Sequence, residues 1–124
     1  MAKSTLKPTR KLTGGRYKQP TKRLSNLSTN PIFTKIGEKK IKLERTRGGH
    51  IKSKLLLIKE INVYNPKTKK TIKTEIKSII ENNANRHFVR RGILTKGATV
   101  DTPLGKAIIR SRPGQESILN GILI

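Results

Sequence analysis

The residues Ile41-Lys42-Leu43-Glu44-Arg45-Thr46-Arg47-Gly48-Gly49-His50-Ile51 change character along their own length. Ile41, Leu43, Arg45 and Arg47 alternate with Lys42, Glu44 and Thr46. That is the period of a half-buried strand, so one face begins apolar, toward a core, and ends in guanidiniums, toward a contact surface. Gly48-Gly49 then removes two side chains, which permits φ > 0 and close backbone approach directly beside groups whose planar forks match phosphate oxygens. The combination suits backbone laid against nucleic acid. It also suits an ordinary hairpin with a glycine turn and solvated arginines, and the rest of the chain has to separate the two.

On the N-terminal side, no acidic residue occurs from Met1 to Gly37, while Lys3, Lys7, Arg10, Lys11, Arg16, Lys18, Lys22, Arg23 and Lys35 are spread among Pro, Gly, Ser, Thr and Asn. No helical or strand period runs through this segment. It buries too little apolar surface to offset its chain entropy, so residues 1–37 read as an extended basic arm that a partner orders. Dispersed cations suit a chain threading between phosphates, with Tyr17 set against a base or ribose. A merely solubilising tail is the alternative.

On the C-terminal side the pattern is that of strands. Residues 39–47 alternate; Leu55 to Tyr64 begins as a buried run and then alternates at Ile61 and Val63; Thr71 to Ile80 sets Ile72, Thr74, Ile76, Ser78 and Ile80 on one face. Asn65-Pro66-Lys67-Thr68-Lys69-Lys70 is a turn with a basic tip. Asn82 to Gly92 predicts one short helix, with an asparagine cap, a brief apolar stripe, arginines at its C-terminal end and a terminating glycine. Residues 93–100, 105–112 and 117–124 are β-rich and separated by tight turns. The expected fold is mainly β: a small closed β-barrel of about six strands over residues 38–124, with one short helix and the N-terminal arm. Tyr64 and Phe88 are expected to pack in its interior.

Within 124 residues there are 29 Lys+Arg against 7 Asp+Glu, a formal charge of +22, and self-repulsion of that size calls for a polyanion. Cysteine is absent, which excludes disulfides, thiol catalysis and cysteine-ligated zinc. No apolar leader follows Met1, and the longest aliphatic run is Leu55-Leu56-Leu57-Ile58, so neither export nor a membrane span is expected. The two histidines, His50 and His87, stand in no metal-binding spacing. Glu44, Glu60, Glu75 and Glu81 each lie within four positions of a lysine or arginine, which reads as surface pairing. No phosphate-cradling or nucleophile motif occurs. The chain is therefore read as a non-enzyme without metal, cofactor or small-molecule substrate. Four aromatics, Tyr17, Phe33, Tyr64 and Phe88, are too few for a base-stacking platform, so binding should run through phosphate and sugar. The candidate nucleic-acid contacts are the cations of the arm with Tyr17; Arg45, Arg47, Gly48, Gly49 and His50, followed by Lys52 and Lys54; the tip residues Lys67, Lys69 and Lys70; and Arg90, Arg91 and Arg112.

The ordered set Thr13-Gly14-Gly15-Arg16, Thr34-Lys35-Ile36-Gly37-Glu38, Arg45-Thr46-Arg47-Gly48-Gly49 and Val63-Tyr64-Asn65-Pro66-Lys67-Thr68 resembles the S-eight-e family of small-subunit ribosomal proteins. The resemblance continues through Glu81-Asn82-Asn83-Ala84-Asn85-Arg86, Val89-Arg90-Arg91-Gly92-Ile93, Thr95-Lys96-Gly97-Ala98 and Ser111-Arg112-Pro113-Gly114-Gln115. The compact length and the ending Gly121-Ile122-Leu123-Ile124 look like the archaeal form. Where the family has a basic run followed by Tyr-Glu-Leu-Gly, this chain departs, with Lys22-Arg23-Leu24-Ser25-Asn26-Leu27-Ser28. The resemblance implies a β-barrel bound to small-subunit ribosomal RNA, an arm penetrating that RNA, neighbouring ribosomal proteins, a monomer within the cytoplasmic ribosome, and no catalysis. Composition alone reaches only a cationic nucleic-acid binder, and a sequence-independent DNA-binding chromatin protein is the other class it allows.

Overall fold

The computed structural model describes residues 10–18, 30–46 and 48–124. The chain divides into two compact units, residues 1–31 and 32–124. In the first, Arg10 and Arg16 form an isolated antiparallel bridge around a turn at Gly14, whose φ is +83°. Lys11 N donates to Gly15 O at 2.7 Å and closes it.

The second unit holds β1 (Thr34–Lys35), β2 (Lys40–Arg45), β3 (Ile51–Leu57), β4 (Glu60–Asn65), β5 (Lys70–Glu75), β6 (Ser78–Glu81), α1 (Arg86–Arg90), β7 (Ile93–Leu94), β8 (Thr99–Thr102), β9 (Gly105–Ile109) and β10 (Asn120–Leu123). A boundary expected after Gly37 lies instead at Pro31. Thr34 is buried and its Oγ1 donates to Leu55 O at 2.7 Å, while β1 runs parallel to β3 and antiparallel to β7. This two-residue strand gains a sheet partner on each side, and Lys35 sits on it.

The strands form a four-stranded sheet, β2-β3-β1-β7, and a six-stranded sheet, β5-β4-β10-β9-β8-β6. The mainly β expectation with one short helix holds, but no closed barrel of about six strands is found among the described residues. Two expected strands are each broken where the chain changes neighbours. Leu55 to Tyr64 divides at Ile58-Lys59: Ile58 N donates to Lys35 O in the first sheet, and Lys59 O accepts from Ile76 N beside the second. Thr71 to Ile80 divides at Ile76-Lys77, where Lys77 N turns to Asp101 O at 2.9 Å. A run of apolar residues carries no mark of which sheet it enters, so the breaks are invisible to periodicity. Residues 93–100 likewise divide into β7 and β8 around Gly97 at φ +84°.

The core is Leu55, Ile58, Ile61, Val63, Ile76, Leu94, Ala98, Val100, Ala107, Ile109 and Leu119. Each large aliphatic side chain among them contributes about 1.5 to 3 kcal/mol by leaving water. Gly121 lets β10 pass close by: a Cβ there would stand 3.0 Å from Ile61 Cδ1 and 3.1 Å from Ile108 O. Tyr64, expected inside, is 38% exposed, because pairing opposite Thr71 sets it on the outer side of the sheet from Val63. Ile72 and Ile80 are exposed near the sheet's edges while Ile76 is buried, so the expected single face is not one buried surface.

The helix is shorter than expected. The expected asparagine cap is Asn85, with Oδ1 accepting from His87 N at 2.9 Å, and Gly92 at φ +63° follows the C-cap Arg91. Asn82 is held elsewhere: its Nδ2 donates to Ile93 O at 3.1 Å, and its Oδ1 accepts from Ala84 N and Thr95 Oγ1. Phe88 is half-buried and meets Phe33 edge to face, ring centroids 5.6 Å apart, which fastens the helix to the residue preceding β1.

Candidate nucleic-acid interface

Three loops or ends of the second unit carry the cations singled out in its sequence. The first is the β2–β3 turn. Thr46 N and Oγ1 both donate to His50 O, at 2.7 and 2.9 Å, and Gly49 N donates to Thr46 O at 3.3 Å. Gly48 and Gly49 stand at φ +85° and +84°, a region strained for any side chain. A Cβ on Gly49 would meet nothing within 4 Å, so the glycine serves backbone conformation and leaves an open approach. Arg45, Gly48, Gly49 and His50 are exposed; Arg47 lies outside the described residues.

Leaving this turn, the expected half-buried strand is found to be largely exposed. Ile41 is 38% exposed and Leu43 65%, because the hairpin continues past the sheet's body and, among the described residues, the alternating face has no layer against it. Lys52 is exposed on β3. Lys54, expected to reach nucleic acid, is instead taken up by Glu44, which also meets Lys42 at 2.9 Å. The Lys54 and Lys42 ammoniums hold the Glu44 carboxyl at about 2, well below the usual carboxylate range. Cross-strand register makes this triad, since Lys42 stands opposite Lys54 and Glu44 opposite Lys52.

The second is the β4–β5 tip. Asn65 Oδ1 accepts from Lys67 N at 2.9 Å, an Asx turn, and Lys69 adopts φ +53° to complete the reversal. Lys67, Lys69 and Lys70 are all exposed. Below the tip the same hairpin neutralises its charges in pairs, Lys73 with Glu60 at 2.8 Å and Lys59 with Glu75 at 2.7 Å. The Glu60 carboxyl is accordingly lowered by the Lys73 hydrogen bond, and the Lys59 ammonium raised by that of Glu75. Among the described residues, the tip is therefore where the hairpin's positive charge is left unpaired.

The third is the end of α1. Arg90 and Arg91 are exposed, and the Arg91 guanidinium stands 5.4 Å from the Phe33 ring centroid. Arg86 is exposed one turn before Arg90 on the same side of the helix, an i, i+4 pair the sequence reading passed over although its spacing was visible. Arg112 lies apart, exposed, with its amide donating to Glu116 Oε1 at 3.3 Å.

In the first unit, Arg10 Nη1 donates to Gly14 O, and the Lys11 ammonium stands 5.5 Å from the Tyr17 ring centroid. Arg10, Lys11, Arg16, Tyr17 and Lys18 are exposed. Lys3, Lys7, Lys22 and Arg23 lie outside the described residues. Among the described residues no group of His, Cys, Asp or Glu is placed to hold a metal ion, and no helix is long and apolar enough to cross a membrane.

The arrangement offers exposed cations at loop ends, with glycine-opened backbone beside one of them. The family described as Ribosomal protein S8e matches residues 5–124. The small ribosomal subunit protein eS8 of Nanoarchaeum equitans is 52% identical over 103 residues, 83% of this chain and 81% of that protein. That of Methanobrevibacter smithii is 45% identical over 125 residues, the full length of both chains, and that of Sulfolobus acidocaldarius 44% identical over 93% of this chain and 91% of its own. The chain belongs to the ribosomal protein S8e family, whose members are structural constituents and not enzymes.

Proposed function

We propose that this protein is a structural constituent of the small ribosomal subunit in the cytoplasm, where it binds and stabilises folded small-subunit ribosomal RNA. A basic arm N-terminal to β1 threads into the RNA, and the β2–β3 turn, the β4–β5 tip and the end of α1 dock on its surface. The protein acts there as a monomer beside neighbouring ribosomal proteins. The observation that carries the reading is the partition of charge. Carboxylates neutralise lysines along the strands, whereas the exposed ends Lys67–Lys70 and Arg86–Arg91 hold cations without an ion-pair partner among the described residues. Such ends suit phosphate contacts, and planar guanidiniums suit them bidentately.

A small barrel remains our reading of the β unit. Its support is that β5 and β6, the two edge strands of the six-stranded sheet, are consecutive in the chain and joined only by Ile76-Lys77, one amide bonded toward β4 and the other toward β8. A sheet whose edges are so tethered is drawn toward closure.

Sedimentation in magnesium tests the function. The protein is expected to travel with small subunits and to resist release by DNase; travel with DNase-sensitive chromatin instead would assign it to DNA.

A further inference from the structure

Phe33 presents an exposed aromatic ring among arginines. Its place is fixed by the next residue: Thr34 is buried and its Oγ1 donates to Leu55 O, so Phe33 is held where β1 begins. Phe88 of α1 braces the ring edge to face, the Arg91 guanidinium stands 5.4 Å from its centroid, and Phe33 is still 39% exposed. Arg86 and Arg90 are exposed on the same short helix. From Asn82 to Val100 the chain carries no carboxylate, and among the described residues none pairs with these three guanidiniums. A ring beside cations is a surface on which a nucleobase stacks while its phosphates meet the neighbouring charges. Arginine serves both contacts, because its planar group stacks on bases and pairs with phosphate.

We infer that Phe33 and Arg91 form a stacking site for one unpaired base of the RNA, with Arg86 and Arg90 on the flanking phosphates. The inference deepens the RNA-binding reading above and rests on it: once the end of α1 docks on RNA, the ring beside Arg91 lies inside the same footprint. A duplex hides the faces of its bases in its own stack, so the nucleotide that meets Phe33 belongs to a loop, bulge or end. The scarcity of aromatics argues against a platform for several bases, not against a single ring held in place before RNA arrives. A stack on phenylalanine neutralises no phosphate. Its loss lowers affinity at every salt concentration alike, whereas the loss of an arginine also flattens the salt dependence.

The test titrates full-length variants against protein-free small-subunit ribosomal RNA at several salt concentrations. Phe33→Leu should bind on the order of tenfold more weakly with an unchanged log–log salt slope, and Phe33→Tyr should bind like the parent. Arg86→Gln and Arg90→Gln should each lower the slope by about 0.7 to 0.9. Since Phe33→Leu also loosens the contact with Phe88, Phe33→Trp supplies a second readout: the chain has no other tryptophan, and its emission should be quenched on RNA by stacking. In assembled subunits, a photoreactive phenylalanine analogue at position 33 should crosslink to a nucleotide. Parent-like binding by Phe33→Leu, unquenched emission from Phe33→Trp, or a crosslink to another protein or within this chain would overturn the inference. The RNA-binding reading would survive each of these if the arginine variants still lower the slope. An unchanged slope in both arginine variants would remove docking at the end of α1, and the inference with it.

Discussion

Glu44 on β2 and Lys54 on β3 form an ion pair across the hairpin, and the same carboxylate reaches along its own strand to Lys42 at 2.9 Å. Its folded pKa is lowered from the usual 4.5 to about 2, so the pairing contributes stability above pH 4.5 that is lost as the pH falls toward 2. Glu44→Gln should therefore melt lower than the parent at neutral pH, with the gap closing through that acid window. Thermal melts of both chains across the window check it; a gap independent of pH would show that the carboxylate's charge plays no part. The variant also releases Lys54 and Lys42, so its RNA affinity should rise and depend more steeply on salt.

A chain lacking residues 1–31 should still melt cooperatively, because Ile32–Ile124 is a compact unit with its own core. It loses Lys3, Lys7, Arg10, Lys11, Arg16, Lys18, Lys22 and Arg23. Each phosphate contact among these that is lost should lower the log–log salt slope of RNA binding by about 0.7 to 0.9. Titrations at several salt concentrations measure this, and an unchanged slope would reduce the segment to a tether.

Gly121→Ala should destabilise by about 1 to 3 kcal/mol, since the new Cβ meets the Ile108 carbonyl, which cannot swing aside as a side chain can. Gly49→Ala meets nothing, but at φ +84° it should still cost about 1 to 2 kcal/mol, confined to the turn. Denaturant unfolding of the two variants, with RNA binding measured alongside, separates a packing glycine from a turn glycine.

Ile76→Ala should cost about 2 to 5 kcal/mol and Phe88→Ala somewhat less, about 1 to 3 kcal/mol, because Phe88 is only half-buried and loses chiefly its Phe33 contact. Lys69→Gly should instead stabilise by a few tenths to about 1 kcal/mol by relieving its positive φ, while weakening RNA binding through the lost charge. Melting and titration of the same preparations would reveal any coupling of the two effects that contradicts this.

What the sequence made legible was local chemistry. The paired glycines gave the β2–β3 turn, Asn65-Pro66 the β4–β5 reversal, and Gly92 the end of the helix, since each needs only its own backbone preferences. Periodicity assigned Ile41 and Leu43 to one face but could not say how exposed that face is. The loss of Lys54 to Glu44 depends on cross-strand register between residues ten apart, and the breaks at Ile58-Lys59 and Ile76-Lys77 depend on neighbours remote in the chain. Phe33 went unassigned for the same reason: its partners, Phe88 and Arg91, are brought to it only by the fold.

The place of β10 between β4 and β9 sets the order in which the molecule can be completed. Asn62 meets Asn120 across 58 residues of chain, so the facing edges of β4 and β9 stay open until everything between them has been made. Hairpins such as β4–β5 can form as they emerge during synthesis, but the six-stranded sheet is sealed by its last strand, after a long loop has closed. Until then the nascent chain displays two unsatisfied strand edges beside a dense positive charge. It is most in need of shielding just before β10 pairs.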